Sequence, residues 1–384
     1  MVTKGKGKKR AAGEGHVRQR PDGLWETRIS IPGGKPKSFY GKTQAEALRK
    51  RNEFKAEYLG GGLDFDAERI AFGEYLWRWL NDSYKASVRE RTYDRAESLV
   101  RVHLEPALGH VRLSKLTGAH FQGLYQRKLD AGLSARSVQR IHQVSNTALK
   151  QAVKWRLLSS NPAENATRPK AEDPEINPLD REEANALMNV VRGHRLEALI
   201  VTAILSGLRA GELLGLRWKD VDFEAGILRV RQQLVYPRSG LRLGPPKRDS
   251  SKRAVDVPPQ VVAALRRRRA IQLEEKLKAG PAWDEGGEFK DLVFTRPNGR
   301  PLNPSTLTRR YLTPFLKEAG VAHKERRFHD LRHTFATLNL LNGEHVRVVQ
   351  EALGHSTIAQ TMNIYSHVLP SIGKSAARRL GELF

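Results

Sequence analysis

Ser206-Gly207-Leu208-Arg209-Ala210-Gly211-Glu212-Leu213-Leu214-Gly215-Leu216-Arg217-Trp218 is the stretch from which the fold is read. Ahead of it lies the longest apolar stretch, 198–205, and Asp180 with Glu183 forms a capping box that opens a region read as helical to Trp218. Behind it, residues 223–257 read as short strands separated by Gly/Pro turns. They include a hairpin that carries Pro246-Lys247-Arg248 and, after it, Ser250-Ser251-Lys252-Arg253. A basic helix over 261–278 follows, and the rest is mainly helical. Two further clusters stand out there: His329-Asp330-Leu331-Arg332-His333-Thr334-Phe335, and Leu353-Gly354-His355-Ser356. Tyr365 comes ten residues after His355, within Ile364-Tyr365-Ser366-His367.

Working outward to the N-terminus, residues 70–158 carry almost no strand signal. Phe72, Tyr75, Leu76, Trp79 and Leu80 recur at helical spacing, Ser87 and Glu90 suggest a capping box, and helices are expected over 120–129 and 134–157. Ser159-Ser160-Asn161-Pro162 and the polar run to Pro178 read as a linker. Earlier still, runs at 16–20, 24–31 and 37–41 are separated by Pro21-Asp22-Gly23 and Pro32-Gly33-Gly34. Thr43 with Glu46 then makes a capping box for a helix that runs to about Leu59 and ends at Gly60-Gly61-Gly62. The expected organisation is a basic, disordered arm over 1–15, three strands plus a helix over 16–62, a helical unit over 68–160, and a mixed, mostly α unit over 175–384. This is a multidomain, mainly α chain with small β parts.

At 384 residues the chain exceeds the roughly 150 residues of an ordinary domain. Lys+Arg number 67 against 42 Asp+Glu, a net charge of 67 − 42 = +25, which points to a polyanionic partner, most often nucleic acid. Residues 1–60 alone hold fifteen Lys/Arg against six Asp/Glu. The longest apolar stretch is far short of the roughly 18 residues of a spanning helix. No basic–apolar signal segment opens the sequence, and cytoplasmic residence is the expectation. With no cysteine, disulfides, thiolate catalysis and Cys-ligated zinc are excluded.

The three clusters and the hairpin together closely resemble the tyrosine recombinases, the phage-integrase family of site-specific DNA recombinases. By that resemblance the catalytic residues are Arg209, Lys247, His329, Arg332, His355 and Tyr365, with Tyr365 as nucleophile. The chemistry suits those residue types. Two guanidiniums grip the non-bridging oxygens of a phosphodiester through paired hydrogen bonds, as a lysine cannot. They also stabilise the added charge of a pentacoordinate transition state. A phenol with pKa about 10 is only about 0.1 % ionised at pH 7, so Tyr365 needs a proton acceptor, and His329 is the candidate. Lys247 would protonate the leaving oxygen, His355 would hydrogen-bond the phosphate, and Glu212 would orient Arg209.

Several readings stay open at this level. Lys252 and Arg248 rival Lys247. His329 and His333, four apart on a helix, fit either a metal pair or a histidine packed beside the site, although no metal or other cofactor is expected. The run Arg266-Arg267-Arg268-Arg269 fits a solvated face or a phosphate contact. The family's usual form at the His355 position is histidine, its variant tryptophan.

The resemblance extends to the first two segments by architecture. It implies a helical core-binding domain that closes round DNA with the catalytic domain, and an arm-binding sheet with Arg18, Arg20, Arg28 and Lys37 as contacts in a major groove. The implied function is integration and excision of a mobile element through a 3′-phosphotyrosine, without metal or ATP. Double-stranded attachment sites, a homotetramer on DNA, and DNA-bending or directionality factors are the implied partners. An amphipathic tail over 371–384 would pack on a neighbouring protomer or on its own chain. Two rival functions share the sequence features: a silent DNA-binding regulator descended from an integrase, and a type IB topoisomerase-like relaxing activity.

Overall fold

A computed structural model describes residues 17–29, 36–59, 69–172, 175–246, 251–284, 286–322, 325–365 and 381, without the side chains of 55–59, 360 and 363–365. The chain divides into two units, Met1–Asp173 and Pro174–Phe384. The N-terminal arm, the Pro32-Gly33-Gly34 turn, the Gly60-Gly61-Gly62 stop, Lys247 and the bulk of the expected C-terminal tail helix lie outside the described residues.

In the first unit β1 (Val17–Gln19), β2 (Trp25–Ile29) and β3 (Lys37–Gly41) form an antiparallel sheet in that order. The β1–β2 turn is shaped by Asp22, whose Oδ1 accepts from Leu24 N at 3.2 Å, and by Gly23 at φ +82°. Helix α1 (Gln44–Leu59) packs on one face, with Phe54 5.1 Å from Phe39 between ring centroids. Its cap differs from the reciprocal box: Thr43 Oγ1 accepts from Glu46 N, while the Glu46 carboxylate takes Lys42 N.

The helical part comprises α2 (Phe72–Trp79), α3 (Lys85–Ser87), α4 (Glu90–Leu99), α5 (Glu105–Leu108), α6 (Gly118–Asp130) and α7 (Ala135–Lys154). π-helical turns at Leu80–Tyr84 and Val100–Leu104 join α2 to α3 and α4 to α5, so four helical runs result. The apolar stripe read from the sequence is the core: Phe72, Tyr75, Leu76 and Leu80 are fully buried, and Phe72 meets Phe121 edge-to-face. Tyr75 satisfies its hydroxyl on Ala148 O at 2.5 Å.

Two expectations fail here. Ser87 does not cap α4: its hydroxyl donates back to Tyr84 O, the chain turns extended at Val88 and Arg89, and Arg89 is the cap residue with no side-chain bond. The supposed linker is largely part of the helical unit. Asn161 caps a 3-10 turn, Pro162–Asn165, whose Ala163 is fully buried. Beyond it, Gln122, Gln139 and Arg136 bond the backbone at Thr167, Pro169 and Glu172. A polar composition concealed a strap held by side chains of α6 and α7.

In the second unit the Asp180–Glu183 box opens α8 (Arg181–Val190). Helix α9 (Glu197–Ser206) is the centre of the core, with nine of its ten residues buried. It ends at Gly207, and α10 (Ala210–Leu214) follows. Strands β4 (Val221–Asp222) and β5 (Ile227–Val230) precede the hairpin of β6 (Gln233–Val235) and β7 (Arg242–Gly244), then β8 (Arg253–Asp256). The sheet order is β4-β5-β8, antiparallel, and α11 (Pro259–Ala279) returns along α9. Helices α12 (Thr313–Glu318), α13 (Asp330–Leu341), α14 (Val346–Leu353) and α15 (Ile358–Tyr365) complete the unit. None of the described helices is long and apolar enough to cross a membrane.

The four-arginine run does not form one face. Successive helical positions point about 100° apart, so the four side chains diverge. Arg266 pairs with exposed Glu224 at 3.0 Å and Arg267 with Glu197 at 2.6 Å. Arg269 lies 5.8 Å over the Trp218 ring. Arg268 turns inward, 2 % exposed, and bonds Glu275, Thr295 Oγ1 and Val293 O. Neither a solvated face nor a phosphate contact describes Arg268. Arg268→Ala should lower the unfolding free energy by about 1.5–3 kcal/mol in urea titrations, because Glu275 loses one of its two arginines but keeps Arg195 at 2.8 Å. Arg266→Ala should cost at most about 1 kcal/mol.

Candidate functional site

The site is assembled at three chain reversals in the second unit. The first is the α9–α10 junction. Gly207 closes α9 at φ +62°, where an added Cβ would lie 2.5 Å from Phe335 Cδ1. Arg209 follows as the cap of α10. Its backbone N–H donates to Glu212 Oε2 at 3.0 Å and its Nη1 to Glu212 Oε1 at 2.7 Å. Glu212 is 3 % exposed, so the carboxylate expected to orient Arg209 does hold it, from within the fold.

The second reversal is the start of α13. His329 is the cap residue, Arg332 follows in the first turn, and Arg332 is 3 % exposed. Its Nη1 donates to Gly207 O and its Nη2 to Leu353 O, both at 2.6 Å. His329 and His333 meet edge-to-face at 5.1 Å between ring centroids. Among the described residues no third His, Asp or Glu joins them in a metal-binding group.

The third is the end of α14. Gly354 caps it at φ +63°, and Gly354 O accepts from Arg209 Nη2 at 3.3 Å. His355 comes next, half-buried. Its N–H donates to Gln350 O at 3.1 Å, its carbonyl accepts from Gln350 Nε2 at 3.1 Å, and its Nδ1 shares a 2.9 Å hydrogen bond with buried Thr361 Oγ1. Tyr365 is the last residue of α15, four positions and about one turn beyond Thr361.

The structure therefore brings Arg209, Glu212, His329, Arg332, His333 and His355 together, and it adds Arg253, which the sequence reading quoted without assigning. Arg253 Nη2 donates to Glu212 Oε2 at 3.0 Å and its Nε to Ala352 O at 2.7 Å. The signal available was its place after a turn segment at the start of a strand. Thr361 carried no signal beyond its spacing from His355.

Arg209 and Arg253 share the buried Glu212 carboxylate while Arg332 lies close enough to act on both histidines, so the cluster keeps an excess of positive charge. Burial alone would raise the Glu212 carboxyl, but Arg253 and Arg209 outweigh that effect and hold it below the ordinary value. The imidazole of His355 is pushed down to about 3 by burial and then by Arg332, Arg209, His333 and Arg253. That of His329 falls to about 4 through lost hydration and then the charges of His333, Arg332, Arg209 and Arg327. The exposed side of His329 keeps water close, which tempers both the loss of hydration and the effect of those charges without changing their direction. Both imidazoles are neutral at pH 7. One ring nitrogen of each is thus free of a proton, in a pocket suited to an anion.

The four residues proposed in the N-terminal sheet do not share a face. Arg18 bonds Glu26 through Nε and Nη2 at 2.9 and 2.8 Å, Arg28 bonds Ser38 and Glu26, and Arg20 lies over the Tyr40 ring. Lys37 pairs with Ile29 and sits over the Phe54 ring of α1, on the opposite face. Strand alternation separates it from the other three.

The two histidines fix a pH dependence. Their folded pKa values lie below the unfolded value of about 6.5, so below that pH the unfolded chain binds protons that the folded chain does not. Stability is present in full above about pH 6.5. It is lost as pH falls toward about 4 for His329 and about 3 for His355. Urea titrations at about pH 7 and pH 5 should show this loss, and the variant His329→Asn/His355→Asn should lose less between the same two pH values.

Residues 177–371 match the model of the phage integrase family, and residues 71–129 match that of the phage integrase N-terminal SAM-like domain. A tyrosine recombinase XerC-like protein of Caldanaerobacter subterraneus subsp. tengcongensis is 34% identical over 367 residues, spanning 91% of this chain and 92% of that one. In fold, the chain resembles the Tn1549 transposon integrase in complex with transposon right end DNA. The TM-score is 0.67 at 21% identity, over 81% of this chain and 100% of that one. It also resembles a lambda integrase tetramer bound to a Holliday junction, with TM-score 0.54 at 16% identity over 92% and 96% of the two chains. A family model that spans the unit in which Arg209, Arg332 and His355 converge, together with a relative this similar along nearly the whole length, leaves one assignment: the chain belongs to the phage integrase family and is a tyrosine recombinase.

Proposed function

We propose that this recombinase integrates and excises a mobile DNA element by cleaving and rejoining strands through a 3′-phosphotyrosine. The observation that carries the reading is the convergence of Arg209 and Arg332 on neighbouring carbonyls, Gly354 O and Leu353 O, directly before His355. Two rigid forks and a neutral imidazole then share one small volume of excess positive charge. That is what a phosphodiester needs as it gains charge.

In the proposed step the Tyr365 oxygen attacks phosphorus, the bond from phosphorus to the 5′-oxygen breaks, and the phosphate passes to the tyrosine. His329, neutral at pH 7, takes the phenolic proton. Lys247 gives a proton to the departing 5′-oxygen. His355 hydrogen-bonds a non-bridging oxygen while Thr361 steadies its ring, and Glu212 and His333 support Arg209 and His329. Because one phosphodiester replaces another, a new 5′-hydroxyl can reverse the step without ATP.

The helical part of the first unit is proposed as the core-binding domain, and residues 16–62 as a separate arm-type DNA-binding domain, with Arg18, Arg20 and Arg28 on the sheet face away from α1. Attachment-site DNA is the proposed substrate and a homotetramer on paired sites the working assembly, as in the lambda integrase tetramer on a Holliday junction. A silent regulator is disfavoured because the cation set is complete apart from Lys247, which is present in the sequence.

Tyr365→Phe should bind DNA normally yet give no covalent band on a denaturing gel with a nicked suicide substrate. A persisting band would move the nucleophile elsewhere. With the unaltered protein the band should survive excess EDTA, and loss restored by Mg²⁺ would favour a metal-dependent nuclease. Removing residues 1–62 should leave cleavage of core-type sites intact but reduce recombination of full attachment sites. It should also flatten the dependence of log K on log salt. Equal recombination by the shortened chain at matched ionic strength would remove the arm-domain assignment.

A further inference from the structure

Arg253 opens β8, six positions after Lys247, and the scheme above gives it no part. Its side chain is 8% exposed, so it is closed off from a bound backbone. All three of its nitrogens are engaged inside the site: Nε on Ala352 O at 2.7 Å, Nη1 on Ser251 O at 3.1 Å, and Nη2 on Glu212 Oε2 at 3.0 Å. Gly354 makes room for it, since a Cβ there would stand 3.1 Å from Arg253 Nη1.

Glu212 is consequently divided. Oε1 takes Arg209 Nη1, whereas Oε2 is shared by the Arg209 backbone N–H and Arg253. A carboxylate with Oε2 released could pair with the Arg209 guanidinium through both oxygens, the geometry such pairs favour. That would draw Arg209 off Gly354 O and neutralise it. With Oε2 occupied, Arg209 keeps one nitrogen on Glu212 and another on Gly354 O. Arg253 also supplies the positive charge that offsets Glu212. Its second link, to Ala352 O, fixes the end of α14 from which His355 follows.

We infer that Arg253 is a positioning residue for strand cleavage, which ties Glu212 to the end of α14 and so sets where Arg209 and His355 stand. The inference deepens the proposed recombinase chemistry and rests on it. A lysine in its place would keep the charge. As a single-point donor on a flexible stem, however, it lacks the planar fork that reaches Glu212 and Ala352 from separate nitrogens.

The test is single-turnover cleavage of the nicked suicide substrate by the full chain over a range of DNA concentrations, with Arg253→Lys, Arg253→Met, Glu212→Gln and the Arg253→Met/Glu212→Gln double variant. Arg253→Lys and Arg253→Met should lower the maximal cleavage rate about 10-fold to 100-fold, the range found where an outer residue orients a ligating one. The half-saturating DNA concentration should stay within about twofold, since an enclosed residue makes no DNA contact. The double variant should lose less than the product of the two single losses, because Arg253 acts in part through Glu212. Arg253→Lys retains charge and bulk, so it answers even if Arg253→Met is too unstable to assay. Wild-type cleavage by Arg253→Lys overturns the inference, as do losses that multiply in full, or weaker DNA binding at an unchanged maximal rate. A complete lack of adduct from the unaltered protein is a different result: it overturns the recombinase chemistry, and this inference with it.

Discussion

The carbonyls of Ala352, Leu353 and Gly354, at the C-terminal end of α14, accept hydrogen bonds from three different guanidiniums: Arg253, Arg332 and Arg209. A helix end leaves its last carbonyls without intrahelical partners and carries a partial negative charge. Here those carbonyls are met by cations from β8, α13 and the α9–α10 junction. The two glycine reversals serve the same arrangement. Gly207 and Gly354 both adopt the left-handed conformation at a helix end, and each presents its carbonyl to an arginine. The positions of Arg332, Arg209 and His355 thus depend on one another rather than on their separate helices.

Bringing three guanidiniums to one helix end, with a single carboxylate shared by two of them, is costly unless their donors are satisfied. Neutral carbonyls do that without cancelling the charge. The outcome is a cluster that is hydrogen-bonded yet still electropositive, and its charge adds to burial in holding both histidines below their ordinary pKa. A second carboxylate in place of the carbonyls would have stabilised the resting protein more and left less charge for a phosphate. Arg326 and Arg268 show the contrasting solution elsewhere in the unit: each is buried against a glutamate, Glu183 and Glu275, and each holds elements together.

Much of this was legible in the sequence because it is local. Helix periodicity over 72–80, the Asp180–Glu183 cap, the Pro21-Asp22-Gly23 turn and the pairing of Arg209 with Glu212 involve residues a few positions apart, and each has one favourable local geometry. The residue types at Arg209, His329, Arg332 and His355, in their order, also carried the family resemblance that implies phosphoryl chemistry. Ser87 misled because the same hydroxyl serves equally well to end one turn or to start the next, and nothing nearby decides between the two.

What only the tertiary structure decided involves distant partners. Arg332 reaches Gly207 across 125 positions, Arg209 reaches Gly354 across 145, and Arg253 reaches Ala352 across 99. The start of a strand marks the neighbourhood of Arg253 but does not show that its side chain turns inward, and nothing along the chain sets Arg268 apart from the arginines on either side. Which one turns inward depends on where a strand or helix meets the rest of the core. Residues 161–172 looked like a linker for the same reason, since their partners Gln122, Gln139 and Arg136 come from earlier helices. By itself the sequence determined the local elements and the chemical types available to the site. Packing determined which side chains share its charge, because burial and long-range hydrogen bonds exist only once the chain has closed on itself.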